Sequence, residues 1–239
     1  MRKAHEAGHR VVLVVATRGE LGEVTDGFLA DGEELWQRRV AETKAAADIL
    51  GADRVEFLGY TDSGMMGEPT NDVPGTFWTA SVEEAAEKLA AILREEHADA
   101  LTVYDDHGGY GHPDHIQVHR VGMRAAELAG TPRVYQATMN RDRAMAGRRQ
   151  SAEQSGAELP DFDESFGTPE SEITAAVDVT AWTDHKRKAM RAHASQISEQ
   201  SFFLALPDEA FRFAFGTEWF IRVGAGPGIT ETDLLAGLD

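Results

Sequence analysis

Ala100-Leu101-Thr102-Val103-Tyr104-Asp105-Asp106-His107-Gly108-Gly109-Tyr110-Gly111-His112-Pro113-Asp114-His115 runs from an apolar, strand-like stretch through a glycine-rich loop into a helix start. Pro113 suits the first helical position, where its missing N–H has no intrahelical partner to lose. Asp114 and His115 then fall in the first turn, beside the partial positive charge of the helix N-terminus. Strand, loop and helix in that order form the repeating unit of a largely parallel sheet covered by helices.

The pattern recurs on both sides of this segment. Val11 to Ala16, Arg54 to Leu58, Arg133 to Ala137 and Ile173 to Val179 read as further strands, with Glu218 to Arg222 as an additional one. Between them, Trp36, Val40, Thr43, Ala47 and Leu50 share one helical face, as do Val82, Ala85, Leu89 and Ile92. Helices are also expected from Pro113 to Leu128, Trp182 to Gln196 and Asp208 to Phe215. The fold class is therefore α/β: a mostly parallel sheet with helices on both faces, in one domain over residues 1–239. Residues 140–170 are polar, contain glycine and lack a clear period, which predicts a lid or binding loop.

Arg2 to Gly8 has the look of the last turns of a helix, with Gly8 as its stop, and the chain then enters a strand directly. A helix that opens a parallel α/β fold normally follows a strand. The expectation is that the first strand is missing and belongs ahead of Met1. His5-Glu6-Ala7-Gly8-His9 matches the H-E-x-x-H pattern of zinc proteases, but Gly8 lies inside it and a strand begins two residues after His9. A fraying helix end cannot hold two rigid ligands, so the match is read as solvated residues.

The 239 residues carry a formal charge of −18, with 42% apolar residues and no cysteine. That charge would repel a phosphate backbone or an anionic membrane, so no nucleic-acid partner and no membrane insertion are expected. Without cysteine there is no disulfide, no thiolate metal site and no thiol nucleophile, and any metal must sit on His, Asp or Glu. The longest apolar run is too short to span a bilayer, no signal-peptide core follows Met1, and the expected setting is cytoplasmic.

In a parallel sheet, ligands bind at the carboxyl ends of the strands, where Asp105 to His115 falls. The helix N-terminus disfavours an imidazolium, which would keep His115 neutral and ready to coordinate a divalent metal. The Gly108 to Gly111 loop would let a substrate carbonyl approach backbone N–H groups closely. An H-P-D-H tetrapeptide suits a structural N-cap equally well, and its position at a strand end favours the functional reading.

The string Gly108-Gly109-Tyr110-Gly111-His112-Pro113-Asp114-His115 resembles the second signature of the PIG-L/LmbE-like zinc N-deacetylases, which remove acetyl groups from N-acetylglucosamine compounds. Other parts agree in order: Thr17-Arg18-Gly19-Glu20, Asp62-Ser63-Gly64-Met65, and Lys188 to His193 with Ser195-Gln196. The resemblance runs from Arg2 to about Arg222 and is closest to the actinobacterial branch with mycothiol-pathway deacetylases and amidases. It implies a Rossmann-like fold and a zinc ion held by two His and one Asp. It also implies His115 as a zinc ligand, His112 as the oxyanion-stabilising or acid histidine, and Asp114 as the carboxylate that tunes that histidine. Tyr110 matches a substrate-contacting tyrosine, and Asp62 a residue binding the sugar or inositol side. Arg18 lies at the same mouth, as a salt bridge or a substrate contact, since Arg serves either.

The family's first signature, Ala-His-Pro-Asp-Asp-Glu, supplies the other zinc-binding His and Asp and the general base, and no such string occurs in the chain. It is expected upstream of Met1, with activity impaired in its absence. Two other functions compete with this one. A sugar-binding remnant would keep the crevice without catalysis, and a non-haem iron oxygenase would use His112, Asp114 and the distant His193.

Overall fold

The computed structural model describes residues 1–24, 27–155 and 166–238. Along the chain these form α1 (Arg2–Glu6), β1 (Val12–Thr17), α2 (Leu35–Leu50), β2 (Arg54–Tyr60), α3 (Val82–Glu95), β3 (Ala100–Tyr104), α4 (Gly108–Gly111) and α5 (Pro113–Ala129). There follow β4 (Arg133–Thr138), α6 (Arg141–Ser155), β5 (Ala175–Asp178), α7 (Thr183–Ala192), α8 (Phe202–Ala205), α9 (Asp208–Phe215) and β6 (Thr217–Arg222).

Local chemistry sets the helix limits. Glu34 and Gln37 form a reciprocal cap at the start of α2, and Ser81 accepts the Glu84 N–H at the start of α3. Gly51 and Gly130 end α2 and α5 with φ of 73° and 72°, a conformation that costs a side-chain-bearing residue energy.

The expected single sheet is divided. β1 and β2 pair in parallel as one two-stranded sheet, and β3-β4-β6-β5 form a second. β3 and β4 run parallel, from Ala100 opposite Arg133 to Tyr104 opposite Ala137, whereas β6 is antiparallel to both β4 and β5. The chain reaches β5 past α6 and β6 past α7, α8 and α9, yet β6 enters the sheet antiparallel to both neighbours, so alternation of elements overstated the parallel content. Helices α3 and α5 pack on each other and gather Val14 and Ala16 of β1, Leu58 and Tyr60 of β2, and Leu101 of β3 into one apolar cluster. The two sheets thus share a core although no strand pairing joins them among the described residues.

Two details of local structure differ from the expectation. The polar segment 140–170 contains helix α6, started by Asn140, whose side-chain oxygen accepts the Arg143 N–H at 2.9 Å. Its period is weak because few of its side chains are apolar, whereas its cap is legible. Residues 156–165 of the expected lid lie outside the described residues. The late helix stops at Ala192 rather than Gln196, because Ser195 turns inward to Glu42 of α2.

No described helix is long and apolar enough to cross a membrane. In the H-E-x-x-H match, His5, Glu6 and Gly8 are exposed, Glu6 accepts the Trp182 indole N–H at 2.7 Å and Gly8 has φ of 90°, so that segment is a solvated helix end.

Candidate active site

β3 delivers Asp105 to the interior, 1% exposed, and the chain then turns through the glycines of α4 to α5. His112 caps α5 with its ring: Nδ1 accepts the Asp114 N–H at 3.1 Å. A nitrogen that accepts cannot carry the proton, so His112 holds its hydrogen on Nε2 and presents a donor. Three residues on, His115 Nδ1 lies 3.2 Å from the Gly108 carbonyl oxygen, which only accepts. His115 therefore keeps its proton on Nδ1 and presents an Nε2 lone pair. One helix start thus displays a donor and an acceptor on rings whose centroids are 4.9 Å apart.

His115 sits in an aromatic box. Tyr104 stacks on it at 4.0 Å with planes 4° apart, and Tyr110 meets it edge-on at 5.1 Å. Burial, followed by the neighbouring His112, lowers the His115 pKa to about 4, so the ring is neutral at physiological pH. Asp114 is buried: Oδ2 accepts the Ser63 N–H at 3.1 Å, and Oδ1 has no partner among the described residues. Desolvation raises its pKa against the opposing Ser63 hydrogen bonds. Its direct contact with His112 runs through the backbone N–H rather than the carboxylate.

The other candidates gather around the same mouth. The Asp62 Oδ1 accepts the Gly64 N–H at 2.9 Å, its own N–H donates to Glu20, and its charge acts on both Asp114 and His115. Tyr110 is 58% exposed, which places it at the rim. Arg18 is held by Glu20 at 3.0 Å and lies 4.5 Å over the Trp36 ring, the arrangement of a brace. His193 is half-buried, with its pKa lowered first by burial, and faces Glu42 and Arg39.

Arg39 is the residue that sequence reasoning missed. Among the described residues its guanidinium donates only to neutral oxygens, Gly19 O at 3.4 Å and Gln196 Oε1 at 3.3 Å, and its charge reaches Tyr110. Gly22 leaves room for it, since a Cβ there would stand 2.6 Å from Arg39 Nη1. The sequence places Arg39 beside the apolar stripe of α2 without showing what it faces.

The donor chemistry suits a divalent metal at one point, the neutral His115 with its free lone pair. Among the described residues no three His, Asp or Glu side chains come close enough to hold a metal. These residues therefore do not complete a zinc site. Nor do they assemble the His112, Asp114 and His193 set of an iron oxygenase.

A loop-to-helix turn at strand ends, with a donor histidine and an acceptor histidine, is equipment for hydrolysis at a carbonyl group. The family model described as GlcNAc-PI de-N-acetylase, PIG-L, matches residues 1–126, and the chain belongs to this family. It is 41% identical to a 1D-myo-inositol 2-acetamido-2-deoxy-alpha-D-glucopyranoside deacetylase of Streptomyces griseus, over 99% of this chain and 82% of that protein. A protein of the same description from Nocardiopsis dassonvillei is 42% identical, over 97% of this chain and 92% of that one. In fold, the chain is similar to the N,N'-diacetylchitobiose deacetylase from Pyrococcus horikoshii, with a TM-score of 0.58 and 22% identity, covering 93% of this chain and 76% of that one.

Proposed function

We propose that this protein hydrolyses the acetamide of an N-acetylglucosamine-type compound, specifically an N-acetylglucosaminyl inositol, in the cytoplasm and with zinc as its metal. The observation that carries the proposal is the opposed tautomers of His112 and His115 on one helix start. As the acetamide carbonyl gains negative charge, the His112 Nε2–H donates to its oxygen. Removal of one such donor typically costs about 10² to 10³ in turnover. Tyr110 at the rim packs on the sugar, and Asp62 accepts from its hydroxyls or those of the inositol. The Arg39 guanidinium, hydrogen-bonded to neutral oxygens of Gly19 and Gln196, donates to the same hydroxyls. Selectivity for the rest of the substrate is assigned to the loops around Asp62 and to the segment 140–170. The inositol-bearing substrate of the two actinobacterial relatives supports this choice.

His115 is the one zinc ligand assigned among the described residues; the other ligands and the general base are assigned to a segment joined ahead of α1. The divided sheet supports this assignment. β1 and β3 each pair with a single described strand, yet both pack under α3 and α5. A strand between them would rejoin the sheet and set its carboxyl end beside His115.

The test measures zinc content and acetate release from 1D-myo-inositol 2-acetamido-2-deoxy-alpha-D-glucopyranoside. It compares residues 1–239 with a version extended by the upstream codons. The extended protein is expected to hold one zinc and release acetate, and the 239-residue chain to do neither well. Full zinc occupancy and turnover in the 239-residue chain would overturn the ligand assignment. Sugar binding without acetate release by the extended protein would overturn the catalytic one.

A further inference from the structure

We propose that Asp105 is a positioning residue that sets the tautomer of His115 by clamping the peptide group between Gly108 and Gly109. The Gly108 carbonyl that receives the His115 Nδ1–H and the Gly109 N–H are two ends of one planar peptide. At one end, His115 Nδ1 lies 3.2 Å from Gly108 O. At the other, the Gly109 N–H donates to Asp105 Oδ1 at 2.6 Å. A carboxylate at the N–H end polarises the peptide and makes its carbonyl a stronger acceptor, so the two contacts support each other.

The clamp is needed because the peptide is otherwise free to turn. Gly108 and Gly109 have φ of 68° and 75°, and glycine populates both signs of φ about equally. Rotation of that peptide would replace the acceptor facing His115 with an N–H, and the ring would then move its proton to Nε2. Asp105 is itself fixed. It is 1% exposed, its Oδ2 accepts the Thr138 hydroxyl at 2.7 Å, and Thr138 is 2.8 Å from the Thr168 hydroxyl. His107 Nε2 stands 3.3 Å from the same Oδ2, while its Nδ1 is held by Asp106 at 2.9 Å. The ends of β3 and β4 and the start of α4 thus meet on one carboxylate. The functional meaning of the clamp rests on His115 being a metal ligand; its geometry does not.

The test is a long-range 1H–15N spectrum of the 15N-histidine-labelled protein, free of metal and substrate, at pH 7. The His115 signals are assigned by their loss in His115→Gln. The wild type is expected to show His115 protonated at Nδ1 alone. Asp105→Ala, or Asp105→Leu where alanine leaves the chain unfolded, is expected to give a mixture of both tautomers. Asp105→Asn keeps an acceptor oxygen and is expected to restore most of the Nδ1 form. A purely structural role would lower the melting temperature without moving the tautomer. An unchanged tautomer in a folded Ala or Leu variant, or Nε2 protonation in the wild type, overturns the proposal. If neither variant folds, Thr138→Val is read instead, and an unmoved His115 there overturns it too. In the extended, zinc-loaded enzyme, Asp105→Ala should lower kcat about 10 to 100-fold with KM little changed. Because the spectrum needs no turnover, its failure and that of the deacetylase reading are separable.

Discussion

Glu42 and Ser195 tie α2 to the end of α7, and a double-mutant cycle between them measures how firmly the mouth of the site is held. Glu42 is buried and accepts twice from one residue, the Ser195 N–H at 2.9 Å and the Ser195 hydroxyl at 2.6 Å. A hydrogen bond to a charged group contributes about 1.5–3 kcal/mol. Ser195→Ala deletes the hydroxyl contact alone and should destabilise by about that amount. Glu42→Ala deletes both acceptors and leaves the Ser195 N–H buried and unpaired, for an expected loss of about 3–5 kcal/mol. Since the hydroxyl contact can be lost only once, the double variant should be about 1–3 kcal/mol more stable than the sum of the singles. Equilibrium urea unfolding of the four proteins measures this, with equal slopes required for the comparison. A coupling below about 0.5 kcal/mol would show that the close contact contributes nothing beyond independent packing, and would refute the reasoning. The neighbouring Gln196 holds Arg39 at 3.3 Å, so Ser195→Ala should also raise KM more than it lowers kcat.

In the extended protein, His115→Ala should abolish zinc binding, whereas His112→Ala should leave zinc bound and cut turnover about 10² to 10³-fold; equal zinc loss in both contradicts the roles. The pKa of His115, lowered to about 4, gives a pH signature of stability. Between about 4 and the ordinary value near 6.5, the unfolded chain binds the proton that folded His115 refuses. The contribution is therefore complete above that window and lost as pH falls through it. His193, also lowered, adds in the same direction, and raised Asp114 opposes it. His115→Asn should flatten the slope of stability against pH across that window, as measured by thermal unfolding, and an unchanged slope counts against the buried neutral ring. Gly22→Ala would place a methyl group 2.6 Å from Arg39 Nη1 and 2.7 Å from Gln196 Oε1. Its expected result in acetate-release kinetics is a KM several-fold higher with kcat nearly kept, and an equal fall in kcat would remove Arg39 from the binding mouth.

Whatever depends on neighbours along the chain was readable from the residues. Pro113 at a helix start, Gly51 and Gly130 at helix ends, and the apolar run from Ala100 to Tyr104 act within a few residues of themselves. The elements and the position of the Gly108 to His115 turn at a strand end followed from them. The Asn140 cap of α6 had the same local character, but the polar composition around it obscured the helix. Tertiary structure alone decided the rest, because it depends on groups far apart in sequence. Glu20 and Trp36 turn Arg18 into a brace, while Arg39, one α2 turn beyond Trp36, is left with neutral partners from Gly19 and Gln196. Ser63 draws the Asp114 carboxylate away from His112 across 51 positions of sequence. The division of the sheet was equally hidden, since a strand's own residues encode its tendency to extend and not the identity of its neighbours. Those neighbours are chosen by which apolar faces α3 and α5 bury together.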